Sequence, residues 1–182
     1  FASQVRGFAR DGDGATWMAS FRGGVWRRDP TPRWEGANVG LPTTSGAVMD
    51  TCCVSGPSRQ VDVRSIVNTA GGRILAATGF GVFGRDVGAS TWQDRSIGLT
   101  NRDVRALAVD PFDPAVVAAV ARGRAEAEDW IFLSRDAGRT WFVIESSLRA
   151  IPALDVAWAD AAAGVLVARI EGRGAWTLEI RP

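Results

Sequence analysis

The chemistry open to this chain is set by its side-chain types. All 21 basic residues are arginine, and the sequence has no lysine, histidine or tyrosine. Without histidine there is neither a Ser-His-Asp nor a Cys-His nucleophile system, and no imidazole to bind a metal. Without lysine or tyrosine there is no Schiff-base or tyrosyl nucleophile. Carboxylates, arginines, hydroxyls and two cysteines remain, so a hydrolase built on this chain would have to use paired carboxylates.

The two cysteines, Cys52 and Cys53, are adjacent in the sequence. This spacing does not join distant segments and does not match a zinc site. The pair forms either a vicinal disulfide or two thiols, and a redox or ligand-contacting role stays open. We expect neither a metal nor a cofactor.

The composition is that of a globular chain without a nucleic-acid-binding surface. Its 182 residues carry 21 basic and 20 acidic side chains, and 46% of them are hydrophobic. The net charge of +1 leaves no basic footprint large enough to suggest a dedicated nucleic-acid binder. The apolar runs, such as 115–121, are far shorter than the roughly 20 residues that span a bilayer. The start at Phe1, without methionine or signal sequence, indicates a processed product or part of something longer.

The chain repeats itself four times, and the fourth copy is short. Each copy has two apolar runs separated by a turn, then a glycine-rich break and an apolar-aromatic pair; in the first three copies an aspartate and a tryptophan follow. The paired runs are 4–10 and 16–21, 63–69 and 74–78, 104–109 and 115–121, and 154–158 and 165–170. The copies recur at intervals of 43 to 57 residues, close to the roughly 40 to 50 residues of a four-stranded propeller blade. This predicts an all-β fold, a β-propeller with blades at about 4–45, 61–100, 102–148 and 151–182.

Two alanine-rich segments favour helix by composition alone. They are 118–128 and 160–163. Each lies where the repeat requires a strand or a turn, and the repeat outweighs propensity. We therefore expect no helix in either segment.

The most specific motif is the sequence Ser-Arg-Asp-Ala-Gly-Arg-Thr-Trp at 134–141. It matches the pattern S-x-D-x-G-x-T-W at every position. A second copy at 84–92 keeps Asp86 and Trp92 with one inserted residue, and a third keeps only the spacing from Asp29 to Trp34. On these motifs the chain resembles the Asp-box (BNR-repeat) β-propeller superfamily. The turn at 109–114 is similar to one in sortilin-type, xyloglucanase-type and photosystem II assembly-factor propellers.

The motif has a physical role that does not involve catalysis. An ionised Asp136 accepts several N–H bonds in a tight hairpin, Gly138 permits a positive φ, and Thr140 adds a hydroxyl. Trp141 buries a large ring between blades. The resemblance implies that the box, including Ser134, lies on the blade periphery, away from the ligand-binding axis. A catalytic or metal-binding role for the aspartate is the less favoured alternative.

Propellers bind ligands at their axial faces, through the loops that join blades and the loops between second and third strands. In this chain those inner loops carry four arginines and one phenylalanine, which we predict to contact ligand: Arg22, Phe80, Arg122, Arg124 and Arg173. Guanidinium groups that converge on one face suit a carboxylate or a phosphate. The alternative is that these arginines are exposed by chance and neutralised by nearby Glu126, Glu128, Asp129 and Glu171.

The connection 40–62 is the longest segment without repeat character, and it holds the cysteine pair. Loops of this length are uncommon in compact domains unless they are functional or disordered. It is either a partner-contacting insertion or a solvated linker.

The resemblance covers enzymes as well as binding proteins. Retaining sialidases use a tyrosine nucleophile, which this chain lacks. A paired-carboxylate hydrolase could use Asp62, Asp103 or Asp155, each of which lies beside a predicted inner strand, although each also suits a turn. We predict a non-catalytic binding or scaffold propeller that recognises another protein, a glycan or an acidic ligand on its axial face, and that is extracytoplasmic by family analogy. The alternative is a fragment of a carbohydrate-active glycoside hydrolase.

Four blades are few for such a propeller, whose relatives generally have more. Open blade faces would leave apolar sheet surface uncovered. We expect the chain to be the C-terminal half of a longer propeller, or to pair with another chain that supplies the remaining blades. A closed four-bladed ring is the alternative geometry.

Overall fold

The chain folds into four antiparallel β-sheets that stand side by side in sequence order. We call these sheets blades 1 to 4. The computed structural model describes residues 4–30, 32–53, 61–122, 130–144, 153–172 and 174–180. Among these residues, blades 1, 2 and 3 have four strands and blade 4 has three.

Each blade is built from consecutive strands. The first strands of neighbouring blades contact each other, so they lie on the inside of the arc and the last strands lie outside. Blade 1 consists of β1 (Val5–Arg10), β2 (Thr16–Ser20), β3 (Gly24–Arg28) and β4 (Glu35–Gly36). Blade 2 consists of β5 (Val63–Asn68), β6 (Ile74–Thr78), β7 (Gly81–Arg85) and β8 (Gln93–Asp94). Blade 3 consists of β9 (Val104–Val109), β10 (Val117–Ala121), β11 (Trp130–Ser134) and β12 (Phe142–Val143). Blade 4 consists of β13 (Ala153–Asp160), β14 (Val165–Ile170) and β15 (Gly174–Glu179).

The alanine-rich segments form strand and turn. Residues 118–121 belong to β10, and 161–164 form the turn between β13 and β14. Residues 123–129 lie outside the described part of the chain. The described residues contain a single 3-10 turn, at Ala70–Gly72, and no longer helix. Burial between sheets therefore outweighs the helical propensity of alanine here.

Each interface between blades is formed by two apolar sheet faces. We call the face of a blade that looks toward the preceding blade its front face, and the opposite one its back face. The front faces of blades 2 and 3 each present three cross-strand neighbours, which are buried against the preceding blade: Ile66, Ala76 and Phe83, and Leu107, Ala119 and Phe132. The back face of blade 2 contributes Leu75 and Val82 to the second interface. Because successive side chains of a strand point to opposite faces of the sheet, blade 2 packs against blade 1 with one face and against blade 3 with the other.

A tryptophan ties each of two blades to the blade before it. The Trp92 indole N–H donates to the Ala37 carbonyl oxygen at 2.6 Å. The Trp141 indole N–H donates to the Arg95 carbonyl oxygen at 2.7 Å. Both rings are buried. Because Ala37 and Arg95 directly follow the outer strands of their blades, each tryptophan caps the neighbouring sheet at its outer edge.

The blades form an open arc. The inner strands pack in succession, β1 on β5, β5 on β9 and β9 on β13. Within the described ranges no packing of comparable extent returns from blade 4 to blade 1. Phe8 in β1 remains 60% exposed. The alternative of a closed four-bladed ring is therefore wrong for this structure, and the partial propeller is confirmed.

Candidate binding face

One end of the arc collects the turns between second and third strands. Antiparallel pairing places these turns at the same end as the connections that enter each inner strand, because adjacent strands reverse direction. Gly24 donates its N–H to the Val61 carbonyl oxygen at 3.0 Å, and Arg122 donates its N–H to the Asp103 carbonyl oxygen at 2.9 Å. These bonds join the two kinds of loop. We call this end the axial face.

A cavity of about 580 Å³ opens on the axial face at blade 2. Phe80 and Val48 line it and are 39% and 69% exposed. Pro42 adds a further apolar wall, and Arg102 and Asp103 supply charge. A concave site with exposed apolar side chains and a few charged groups can bind a small or extended ligand.

Beside this cavity an arginine bridges two blades. The Arg64 side chain donates through Nε to the Asp62 carboxylate at 3.1 Å and through Nη1 to the Asp103 carboxylate. Arg105 also contacts Asp103, at 2.7 Å. Guanidinium groups therefore hold both candidate carboxylates as hydrogen-bond acceptors.

Two atoms of this network lack a partner among the described residues. They are Asp62 Oδ1 and Arg105 Nε, which are both buried. Buried polar atoms are normally hydrogen-bonded. Both atoms are enclosed by protein, and the cavity lining contains neither Asp62 nor Arg105.

The network reflects a sequence repeat that lies outside the motifs described above. The inner strands of blades 1, 2 and 3 all begin with the dipeptide Val-Arg, at residues 5–6, 63–64 and 104–105. Recurrence of one charged residue at the same place in three inner strands is the signal that predicts a charged hub. In blade 1 the dipeptide arginine, Arg6, lies over the Phe21 ring at 5.0 Å.

The predicted ligand contacts occupy different places on the axial face. Phe80 lines the cavity, whereas Arg22 lies over the Phe21 ring at 5.1 Å and Arg122 is exposed on the turn after β10. Arg124 and Arg173 lie outside the described residues, as do Glu126, Glu128 and Asp129. The structure brings Phe80 together with Arg102 and Val48, which no sequence motif singles out.

Asp155 does not share the environment of Asp62 and Asp103. The other two carboxylates come just before their inner strands, but Asp155 lies inside β13, opposite Arg169 of β14. It lies within the predicted run 154–158, and its carboxylate accepts its own strand's Val156 N–H at 3.0 Å.

The connection after blade 1 is packed against the sheets where it is described. Leu41 and Met49 are buried in the interface between blades 1 and 2, and Val48 reaches the cavity. Cys52 and Cys53 form a vicinal disulfide, and the Asn38 amide donates to the Cys52 carbonyl oxygen at 2.7 Å. Residues 54–60 are outside the described ranges. Over 40–53 this segment thus packs on the sheets through Leu41 and Met49, while residues 44–48 are exposed.

The motif at 134–141 forms a tight hydrogen-bonded turn away from the cavity. Asp136 Oδ1 accepts the backbone N–H groups of Arg139 and Thr140, each at 2.9 Å, and Oδ2 accepts the Thr140 hydroxyl at 2.5 Å. The Ser134 hydroxyl accepts the N–H of Gly138 at 2.9 Å. Partial burial opposes ionisation of Asp136, but these hydrogen bonds outweigh it and lower the pKa of its carboxyl. Both oxygens of the Asp136 carboxylate are therefore engaged in hydrogen bonds within the turn.

The two weaker copies use their aspartates differently. Asp86 binds the guanidinium groups of Arg73 and Arg95, the latter at 3.1 Å. Burial opposes its ionisation, but the Arg73 hydrogen bond and the positive charges nearby lower the pKa of its carboxyl. Asp29 pairs with Arg27 at 2.7 Å. In both copies the aspartate thus bonds to guanidinium groups.

Two further cavities lie at the opposite end of the arc, one of about 200 Å³ between blades 1 and 2 and one of about 550 Å³ between blades 2 and 3. The smaller one contains Arg27 and Arg85, which flank the Trp17 ring at 5.5 and 5.0 Å. Burial first, and then the charge of Arg27, lowers the pKa of Arg85. The larger cavity is bordered by Asp86 and Asp136, which are already engaged as described above.

The described residues contain no group of three or more metal-ligating side chains. In the same part of the chain there is no helix with the length and apolarity to cross a membrane.

Comparison with solved structures places this architecture among β-propellers. The chain superposes on the GH74 enzyme of Niastella koreensis with a TM-score of 0.60 and 15% identity, covering 90% of this chain and 26% of that one. It matches the extracellular domain of a one-component system from B. thetaiotaomicron with a TM-score of 0.62 and 15% identity, covering 100% and 22%. It matches YCF48 bound to a D1 peptide with a TM-score of 0.58 and 16% identity, covering 98% and 51%.

The chain therefore has the fold of a partial β-propeller. It spans about a quarter to a half of the length of these solved neighbours. The neighbours include glycoside hydrolases as well as sensor domains and YCF48. No family model and no curated protein matches the sequence.

Proposed function

We propose that this chain is a non-catalytic binding or scaffold propeller that recognises its partner on the axial face. The observation that carries this proposal is the cavity in which exposed Phe80 and Val48 stand beside Arg102. Aromatic and arginine side chains in a concave site are typical anchors of recognition. The hydrogen-bonding pattern of 134–141 supports membership of the Asp-box propellers, whose boxes are structural.

The ligand that suits this face is acidic and carries an apolar group. Arg102 pairs only with Asp94 in the described residues, at 2.8 Å, and both side chains are about half exposed. Exposed ion pairs contribute little free energy, so an incoming carboxylate can replace Asp94. Arg6 and Arg22 around Phe21 add positive charge on the same end. We propose that Arg122, Arg124 and Arg173 extend this surface.

A protein segment is the class of ligand that we favour, with an acidic glycan as the second. One solved neighbour, YCF48, is bound to a D1 peptide. Extracellular domains among the neighbours support an extracytoplasmic location, as does the bonded cysteine pair, because disulfides persist in oxidising compartments.

The second candidate function is a glycoside hydrolase fragment, which the similarity to GH74 enzymes favours. Such an enzyme needs one protonated carboxylic acid and one carboxylate that is free to act as nucleophile or base. Asp62 and Asp103 both accept from Arg64. This shared ion pairing argues for a structural or ligand-positioning role.

The test applies the intact chain to a peptide array with graded acidity, a glycan array and a panel of fluorogenic glycosides. We expect binding that weakens as salt is raised, because exposed charges are screened, and no glycoside turnover. Turnover that is lost in Asp62→Asn or Asp103→Asn and kept in the control Asp155→Asn would overturn the proposal in favour of the hydrolase.

The arginine surface is tested by Arg122→Ala combined with Arg173→Ala. Unchanged salt-sensitive binding in that variant would refute the role of these two arginines.

A further inference from the structure

The front face of blade 1 carries apolar side chains that nothing in the described residues covers. Phe8, Met18 and Trp26 are cross-strand neighbours on β1, β2 and β3. Phe8 is 60% exposed, and the other two are partly exposed. An apolar sheet face of this kind normally marks a contact with another structural element.

The same positions in the following blades show what normally lies there. Ile66 in blade 2 and Leu107 in blade 3 correspond to Phe8, and they are only 5% and 6% exposed. In both cases the back face of the preceding blade covers them. Phe8 differs because blade 1 has no preceding blade in this structure.

Trp34 gives a second, independent indication. It occupies the position of Trp92 and Trp141, which donate their indole N–H groups to carbonyl oxygens of the preceding blade. Among the described residues the Trp34 indole N–H has no acceptor. Its ring instead lies 6.5 Å from the Phe8 ring, with the Arg28 guanidinium 5.3 Å from its centroid.

We propose that the front face of blade 1 is a docking surface for the back face of a complete, four-stranded propeller blade outside these residues. Such a blade brings two features that this chain shows elsewhere. One is an aliphatic back face like that formed by Leu75 and Val82. The other is a free carbonyl directly after its outer strand, like that of Ala37 or Arg95, which accepts the Trp34 indole N–H. The solved neighbours, of which this chain spans 22% to 51%, are long enough to contain further blades.

A second copy of this chain does not offer the same complement. The blade that a copy would present is blade 4, which has three strands among the described residues. Within the described ranges it therefore presents no carbonyl at the position that Trp34 would contact. Its back face is also more polar, because Thr177 and Asp155 lie on it beside Val167.

The direct test adds a propeller blade of known sequence in front of blade 1. The intact chain is preceded by a second copy of its own blade 2, residues 61–103. Acrylamide quenching of Trp34 is measured as the difference between each protein and its Trp34→Phe version. We expect quenching of Trp34 to fall severalfold in the fusion, because the added back face shields the ring. The matched control carries Leu75→Asp in the added copy only, and it should restore quenching. Equal quenching of Trp34 in the unfused chain and the fusion, or in the fusion and its control, would overturn the proposal.

A second measurement uses the unfused chain and does not depend on the added blade folding. Phe8→Ser should leave the unfolding midpoint unchanged and reduce the binding of an apolar dye, whereas Ile66→Ser at the corresponding buried position should lower the midpoint strongly. Equal destabilisation by both substitutions would mean that this chain covers Phe8 itself. A dimeric mass that Phe8→Ser abolishes would identify a second copy as the occupant. Either result would refute the docking surface as proposed.

Discussion

The Trp141 indole nitrogen lies 2.7 Å from the Arg95 carbonyl oxygen, across the interface between blades 3 and 2. Trp92 makes the same bond to Ala37, one interface earlier. In each case a tryptophan from the peripheral turn of one blade donates to the backbone carbonyl that directly follows the outer strand of the blade before it. The motif that forms a local turn therefore also holds neighbouring sheets together.

Replacing Trp141 by phenylalanine tests this bond. The substitution keeps an aromatic ring but leaves the partly buried Arg95 carbonyl without its donor, so we expect a loss of about 1–3 kcal/mol in the free energy of unfolding. Trp34→Phe is the matched control, because Trp34 has no acceptor in the described residues, and it should change stability by less than about 0.5 kcal/mol. Urea titration followed by circular dichroism measures both. Equal effects of the two substitutions would contradict the assigned bond.

Gly98 tests the close approach of two blades. Its φ is +91°, and a Cβ at this position would lie 1.9 Å from the Trp141 carbonyl oxygen. Gly98→Ala should therefore destabilise the chain by more than the roughly 1–3 kcal/mol of backbone strain alone. Gly88 has a φ of +75° with nothing within 4 Å of the added carbon. Gly88→Ala isolates the strain, and a loss as large as that of Gly98→Ala would show that the blades do not approach so closely.

The aspartates of the two turn motifs predict loss of stability in acid. The folded-state pKa values of Asp136 and Asp86 are lower than those of an unfolded chain, which are about 4. Their contribution is therefore present above about pH 4 and is lost as the pH falls through the lower folded values. Unfolding free energies measured from pH 7 to pH 2 should fall in this window, and Asp136→Asn should flatten the slope. The control is Asp160→Asn, at an aspartate that accepts one backbone N–H, from Ala163. A slope that is the same in Asp136→Asn and in the parent chain would refute the assignment.

Substitution of Phe132 tests the packing of the apolar faces of blades 2 and 3 against each other. It is fully buried, so Phe132→Ala should cost about 3–5 kcal/mol by removing apolar contacts and leaving a cavity. Phe112 is 75% exposed on the turn between β9 and β10. Phe112→Ala should stay within about 0.5 kcal/mol of the parent chain. Differential scanning calorimetry on both variants separates the two cases, and a small effect at Phe132 would contradict the packing of flat faces.

Much of the fold could be predicted because its determinants are local and repeated. The alternation in runs such as 74–78 fixes strand and face, and the aspartate and glycine of 134–141 fix the turn. The tryptophans could be placed between blades because their spacing from the aspartate recurs. What the sequence did not reveal is the partner atom of each ring, since the Arg95 carbonyl carries no residue-specific signal.

The axial face was harder to predict because its residues come from segments without repeat character. Val48 and Arg102 meet Phe80 only after the connection 40–53 folds back over the sheets. Asp155 lies inside the predicted run 154–158 and inside β13, and this position separates it from Asp62 and Asp103, which precede their strands. The recurring Val-Arg dipeptide was available in the sequence and predicts the charged hub.

The most direct test of the binding account is the affinity of the tightest array ligand for two phenylalanine variants, measured by isothermal titration calorimetry. Phe80 lies in the axial cavity, and Phe112 is exposed at the opposite end of blade 3. We predict that Phe80→Ala weakens binding at least about tenfold, as loss of an aromatic anchor does, while Phe112→Ala leaves it unchanged. Binding that survives Phe80→Ala and is lost in Phe112→Ala would contradict the axial face as the site of recognition.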